Sequence, residues 1–223
     1  MTHSDDDGLR LPPRIAPKHV VILPVIPSDE HRSSVLEFCN KLAQDLQGLI
    51  YEGSPVVTFV DDRDLRGGDK NWQWVKKGIP LRVEVGPRDI ESGTVMVARR
   101  DKAVKDRSKL APAELKENLV SILTDIQSSL FQSAKAYRKE HTTDSIQDFE
   151  QLKEYLTPNS SDKPEIHGGF VKAKWCEDPA TEERLNDLKA TIRCVPFEQS
   201  GTQGKCIITG KPATKDVIIA KSY

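Results

Sequence analysis

The chain has 223 residues, 37% of them hydrophobic and 30% charged, with a formal net charge of −1. That length can build one large or two small cores, the near-neutral balance argues against a wholly basic nucleic-acid binder, and no apolar run approaches the roughly 18 residues of a membrane span. The opening MTHSDDDGLRLPP is acidic where a secretory leader is basic and apolar, which points to a cytoplasmic protein with no membrane partner.

A Pro-rich segment leads into the apolar run VVILPV, predicting a strand over 19–25 that is covered on both faces. Pro27-Ser28-Asp29-Glu30 predicts a helix start, with Ser28 as N-cap and acids in the first turn. Val35, Leu36, Cys39, Leu42, Ala43 and Leu46 then trace one helical face. Gly48 and Gly53-Ser54-Pro55 close that helix ahead of a second strand, VVTFVDD. A polar Gly-Gly loop over 63–69 and a short helix over 71–77, stopped by Gly78, precede strands in LRVEV and in GTVMVARRD. Strands parted by helical segments make an α/β domain with a mixed sheet.

Leu115, Leu119, Ile122, Leu123, Ile126, Leu130, Ala134 and Tyr137 predict a long amphipathic helix with Pro112 near its first turn. HTTDSIQDFEQLKEYL reads as a second, shorter helix and TPNSSDKPEIHGG as a linker. Beyond about 170 come a strand, a helix over 179–188, the strand TIRCVPF and a hairpin turning at TGKPA. So short a module needs a staple or a neighbour to hold its core. Cysteines at 39, 176, 194 and 206 do not form a disulfide framework in a chain of this kind, and Cys39 reads as a small buried hydrophobe.

Charge is unevenly spread. Residues 70–109 hold eleven Lys/Arg against five Asp/Glu, a local +6 that the rest of the chain more than offsets, and a basic patch of this sort suits a polyanion at one face. Within it, Leu81, Val83 and Val85 alternate with Arg82 and Glu84, and a Gly-Pro turn delivers Arg88. Arginine makes two parallel hydrogen bonds to guanine O6 and N7. A carboxylate accepts from the N1–H and amino group on the other edge, and unpaired loop bases expose both edges. An exposed Trp72 or Trp74 would stack on a base. The same residues also describe a solvated face with cross-strand ion pairs and tryptophans in the core, and spacing alone leaves both readings open.

The stretch GIPLRVEVGPRDIESGTVMVARRD resembles the anticodon-binding domain of the prolyl-tRNA synthetase family, class II, of the archaeal and eukaryotic-like type. THSDDDGLRLPPRIAPKHVVILPV is similar to the place where the catalytic core of those enzymes hands over to that domain. GGFVKAKWCEDPATEERL, ATIRCVPF and the terminal AKSY resemble their extra C-terminal domain, in the same order. The resemblance implies a remnant of the catalytic core at 1–17, an anticodon-binding domain with a five-stranded mixed sheet at 18–110, connecting helices at 111–158 and a small α+β zinc-domain-like module at 159–223. It implies recognition of two guanines in the proline anticodon by Arg82 and Arg88, with Glu84 and Lys77 beside them. Val75 stands where the family often has an acid. Arg99, Arg100, Lys102 and Lys105 suit phosphate contacts, which position RNA without specifying it. The carboxylate of Tyr223 matches one that reaches back to the catalytic domain.

Many members of the family hold zinc with four cysteines in the last domain. Here Cys176 and Cys206 match two of them, while the other two positions fall at Ala180 or Thr181 and at Ile208 or Thr209. Cys194 matches none, and His167 is the one further ligand at hand, so no zinc is expected and Ile207 and Ile208 are expected to stabilise the module by apolar packing. His3 and Asp5-Asp6-Asp7 imitate a metal or acid/base cluster, but the family's ATP-binding arginine would precede Met1, and no catalytic residue is assigned. The expectation is the C-terminal part of a proline-tRNA ligase whose parent uses ATP and Mg²⁺. Its partners would be tRNA(Pro), the parent's catalytic domain and, in the full-length enzyme, a second copy. This part alone would bind tRNA without charging it. The alternatives are a freestanding tRNA-binding accessory module on the same fold, or a small α/β enzyme, for which 18–110 offers no nucleophile–base pair.

Overall fold

The all-apolar run forms β1, Val20–Pro24, buried at every residue and hydrogen-bonded to a strand on each side, as a strand without a polar face must be. The computed structural model describes residues 2–158 and 169–221. It divides the chain into two units, the first ending at Ala134 and the second beginning at Lys135.

In the first unit α1, Arg32–Gln47, leads to β2, Thr58–Val60, and α2, Gly67–Lys76, leads to β3, Leu81–Val85. The short helix α3, Pro87–Glu91, β4, Val95–Arg99, β5, Arg107–Leu110, and α4, Pro112–Glu140, follow. The strands form one five-stranded sheet in the order β2-β1-β3-β4-β5. β1 pairs parallel with β2 and β3, while β3–β4 and β4–β5 are antiparallel. The expected mixed five-stranded sheet is therefore present.

One face of the sheet carries Val20, Ile22, Leu81, Val83, Val85, Val95 and Val97, packed against Val35, Cys39, Leu42 and Leu46 of α1 and Leu115, Leu119, Leu123, Ile126 and Leu130 of α4. Each fully enclosed side chain of this size contributes about 1.5–3 kcal/mol. The spacing of four, four, three and four residues along α4 is the helical repeat that lays all five on one stripe.

Two local expectations change in this unit. Ser28 makes no side-chain cap bond; a 3-10 turn, Asp29–His31, precedes α1 instead. Gly67 and Gly68 belong to the first turn of α2 rather than to a loop. The helix starts early because Lys70 is drawn inward, its buried ammonium donating to the carbonyls of Pro24, Asp61 and Arg63 at 3.2–3.3 Å. Trp74 is docked beside it, its indole N–H donating to Asp61 Oδ2 at 2.7 Å.

The second unit contains β6, Thr142–Thr143, α5, Phe149–Leu156, β7, Phe170–Trp175, α6, Ala180–Asp187, and β8, Ala190–Cys194. β9, Gly204–Lys205, and β10, Pro212–Ala213, pair as a hairpin before β11, Lys215–Lys221. Its four-stranded sheet runs β8-β11-β7-β6. α5 is shorter than expected because the Asp148 carboxylate accepts from the Gln151 N–H and starts the helix there. β8 stops before Pro196, which has no N–H to give a ladder, leaving Val195 and Phe197 exposed. Leu152, Leu156, Val171, Leu185, Ile207, Ile208, Val217 and Ile219 form the core.

Asp61 has no exposed side-chain surface and is paired with Arg63 at 2.7 Å. The Arg63 guanidinium, against the opposing effect of burial and with help from the Trp74 N–H, holds its carboxyl at about 2, below the ordinary 3.8. A carboxylate lowered on folding stabilises fully above its unfolded value and loses that contribution as pH falls through its folded one. Asp61→Asn should therefore cost about 2 kcal/mol at pH 7. In urea titrations its stability should also decline less steeply than the wild type's between pH 4 and 2.

Candidate nucleic-acid interface

The sheet's second face is only half covered. Phe59, Val21, Arg82, Ala98 and Arg107 are cross-strand neighbours along one row; Leu23, Glu84, Met96 and Lys109 make the next. α2 covers the β1 side, where Trp74 packs with Val21, Leu23 and Ile79. Met96 stays partly open and Arg107 and Lys109 are exposed, so the strip over β3, β4 and β5 faces solvent.

The alternation in LRVEV holds on its apolar side and changes on its polar one. Arg82 is not displayed: it is 1% exposed, the largest fully enclosed side chain in the described chain. The flank of α2 lies over it, and its Nε donates to Asn71 Oδ1 at 2.8 Å. Nη1 is enclosed with no acceptor, a deficit that costs about 1–3 kcal/mol. Burial, with Arg100 and Arg107 adding to it and Glu84 opposing, pulls the guanidinium down to about 10, so it stays charged at neutral pH.

Glu84 is half-buried and already paired. Its carboxylate accepts from Arg107 Nη1 at 2.8 Å across β4. Arg88 is exposed in α3, where Pro87 takes the first position and the Gly86 N–H donates to Asp89 Oδ2 at 2.8 Å. Lys77 is exposed just after α2, its ammonium 4.3 Å from the Trp74 ring centroid. Lys77 precedes β3 and Arg88 follows it, at opposite ends of a strand roughly 15 Å long at about 3.3 Å per residue. Trp74 is core and has no face free for a base, whereas Trp72 is 41% exposed, with Lys76 5.5 Å from its ring.

Of the four residues expected on phosphates, Lys102 and Lys105 are exposed between β4 and β5. Arg99 and Arg100 serve the protein itself. Strand alternation turns Arg99 toward α4, where it pairs with Asp101 at 2.8 Å and Asp125 at 2.7 Å. The Arg100 side chain is 3% exposed. It donates to Val75 O at 3.1 Å and to both Asp5 oxygens, at 3.0 and 2.5 Å. The Arg100 hydrogen bond brings the Asp5 carboxyl to about 2, burial opposing it and the charges of Arg100 and Arg10 adding to it. Asp5 is thus a tether for the N-terminal segment, which also hydrogen-bonds through Leu9 and Leu11 to Lys76 and Gly78. The sequence pointed to neither Asn71 nor Arg107. Asn71 looks like any polar helix residue, and Arg107 is 23 positions from Glu84.

The second unit brings Cys176 and Cys206 together. Cys176 Sγ lies 3.5 Å from Thr209 Oγ1, and Cys206 bridges to Lys174, two residues before Cys176. Burial pushes the Cys206 thiol up, but the Thr209 hydroxyl and the amides of Ile208, Thr209 and Cys176 outweigh it and leave it below the usual thiol value. Thr181 is occupied, donating to Asp178 O at 2.6 Å and accepting from Trp175 Nε1 at 2.8 Å. Two sulfurs flanked by hydroxyls do not supply the four ligands of a structural zinc. Among the described residues no group of three or more His, Cys, Asp and Glu is placed to hold a metal. His167 and Tyr223 lie outside the described residues.

Comparison with known proteins gives a consistent result. The family described as anticodon binding domain matches residues 19–122, and the one described as prolyl-tRNA synthetase, C-terminal, matches residues 163–223. Over its whole length the chain is 55% identical to proline–tRNA ligase of Protochlamydia amoebophila and 46% identical to that of Bdellovibrio bacteriovorus. It is 44% identical to proline–tRNA ligase 2 of Anaeromyxobacter dehalogenans, and it spans 44% of the length of each of these relatives.

Because Arg100 holds the N-terminal segment rather than RNA, Arg100→Ala should cost about 2 kcal/mol, less than a fully enclosed pair because Asp5 is a quarter exposed. Urea denaturation reads this loss. The salt dependence of RNA binding, measured on the folded variant, should stay as in the wild type.

Proposed function

This chain belongs to the proline–tRNA ligase family, matching the C-terminal part of those enzymes, and we propose that its first unit reads the anticodon of tRNA(Pro) for ATP- and Mg²⁺-dependent attachment of proline by the parent protein. The observation that carries this is the Arg82 guanidinium, a buried cation with a donor left unpaired at the edge of an open basic strip. A fold tolerates such a deficit at a place where a ligand supplies the missing acceptor.

A guanine offers O6 and N7 as a matched pair of acceptors for the two terminal nitrogens. Because Arg82 is enclosed, contact requires the strip to open beside α2, by Glu84 exchanging Arg107 for the base's N1–H and amino group. Arg88 sits at the far end of β3, within reach of a second base of the same loop. Lys77, Lys102 and Lys105 neutralise phosphate and set register. Trp72 is placed to take a stacked base. The work of this part is recognition, and charging belongs to the parent's catalytic domain. A homodimer would form through regions of the parent outside this chain, and translation places the protein in the cytoplasm. No described helix is long and apolar enough to cross a membrane.

For the second unit we propose a zinc-free fold in which Ile207 and Ile208, both buried, and the Thr209 hydroxyl replace a metal. Prolonged chelation followed by a melting experiment should leave the transition unchanged, and elemental analysis should return no stoichiometric zinc.

Arg82→Ala or Arg88→Ala should weaken binding to a proline-anticodon stem-loop by roughly 1–3 kcal/mol and relax the preference for guanine. Lys102→Ala and Lys105→Ala should weaken every loop alike, each lowering the slope of log K against log salt by about one. An equal loss for Arg82→Ala on loops whose guanines are replaced by adenine would reduce Arg82 to a phosphate contact.

A further inference from the structure

We propose that Asn71 is a positioning residue that aims Arg82, and through it sets the preference for guanine; this rests on the anticodon reading above. Arginine has three edges from which its five N–H groups can donate. In this protein one is taken: Nε gives its hydrogen to Asn71 Oδ1 at 2.8 Å. Nη1 has no acceptor, and no hydrogen bond involves Nη2 among the described residues. The edge bearing both terminal nitrogens is the one that matches two acceptors side by side, and it is the one left unpaired.

Among the described residues no carboxylate pairs with Arg82. Glu84, two residues along β3, is engaged by Arg107, so a neutral amide oxygen is the one hydrogen-bond partner of the guanidinium among those residues. Asn71 is itself fixed, because Lys70 and Trp74 on either side of it in α2 are anchored to the ends of β1 and β2. The rotation of the guanidinium plane is thereby tied to the seat of the helix. A neutral partner orients the cation without cancelling the charge that attracts the acceptors of a base. Without Asn71 the plane would be free to turn, and a single hydrogen bond to a phosphate or to any base would compete with the paired bond to guanine.

The test uses the chain with fluorescently labelled stem-loops carrying the proline anticodon, or the same loops with each guanine changed to adenine. The wild type should prefer guanine, and Arg82→Ala should abolish that preference at one position. Asn71→Leu, similar in volume but without an acceptor, should lower the guanine-to-adenine affinity ratio at the same position by roughly tenfold. Asn71→Asp, which keeps an oxygen in place, should retain the preference. If Asn71→Leu fails to fold by melting and circular dichroism, Asn71→Ala takes its place. Equal weakening of all loops by the Leu or Ala variant, with Arg82→Ala still abolishing the preference, overturns the role of Asn71 and leaves the anticodon reading intact. A preference that survives Arg82→Ala overturns the assignment of Arg82 itself. Loss of the preference in Asn71→Asp also overturns the proposal.

Discussion

The seat of α2 on the sheet governs everything at the candidate interface. Two buried polar contacts set it. Lys70 gives its ammonium to three backbone carbonyls at the ends of β1 and β2, and Trp74 gives its indole N–H to an Asp61 carboxylate that Arg63 holds from the other side. Burying a polar or charged group costs far less where its hydrogens are met, so each contact admits little sliding. The helix is therefore pinned over β1, stops short of β4 and β5, and leaves the strip that faces solvent.

That placement explains why a strand with alternating Arg and Glu does not simply display them. Arg82 falls beneath the edge of α2 and is enclosed, while Glu84 two residues on is partly open and bridges to Arg107. The cost of the enclosed, unsatisfied guanidinium is met by the apolar face beneath, where the α1 and α4 stripes bury seven strand residues. The unpaired donor on one face and the dense packing on the other belong together: the sheet is stable enough on one side to leave a donor unfilled on the other.

The second unit solves a different problem with similar economy. A small module is commonly stapled by metal, yet here a threonine hydroxyl stands between two cysteine thiols, and two isoleucines next to Cys206 enter the core. The turn keeps the amide hydrogen bonds to sulfur that hold its shape. Its stability then depends on the packing of α5 and α6 against the sheet.

Much of this was legible in the chain. The buried central strand, the α4 stripe, the mixed sheet and the Gly-Pro turn before Arg88 are consequences of local pattern, since side-chain direction follows backbone period. The motifs likewise carried the family. What the sequence could not determine was which charges are spent internally. Arg99 and Arg100 are neighbours among basic residues, yet one turns to Asp125 on α4 and the other crosses 95 positions to Asp5. Arg82 and Arg88 sit in the same motif, yet one is enclosed and the other exposed. Backbone periodicity assigns a residue to a face, but whether a neighbouring element covers that face depends on contacts between segments distant in sequence, and those exist only once the chain has folded.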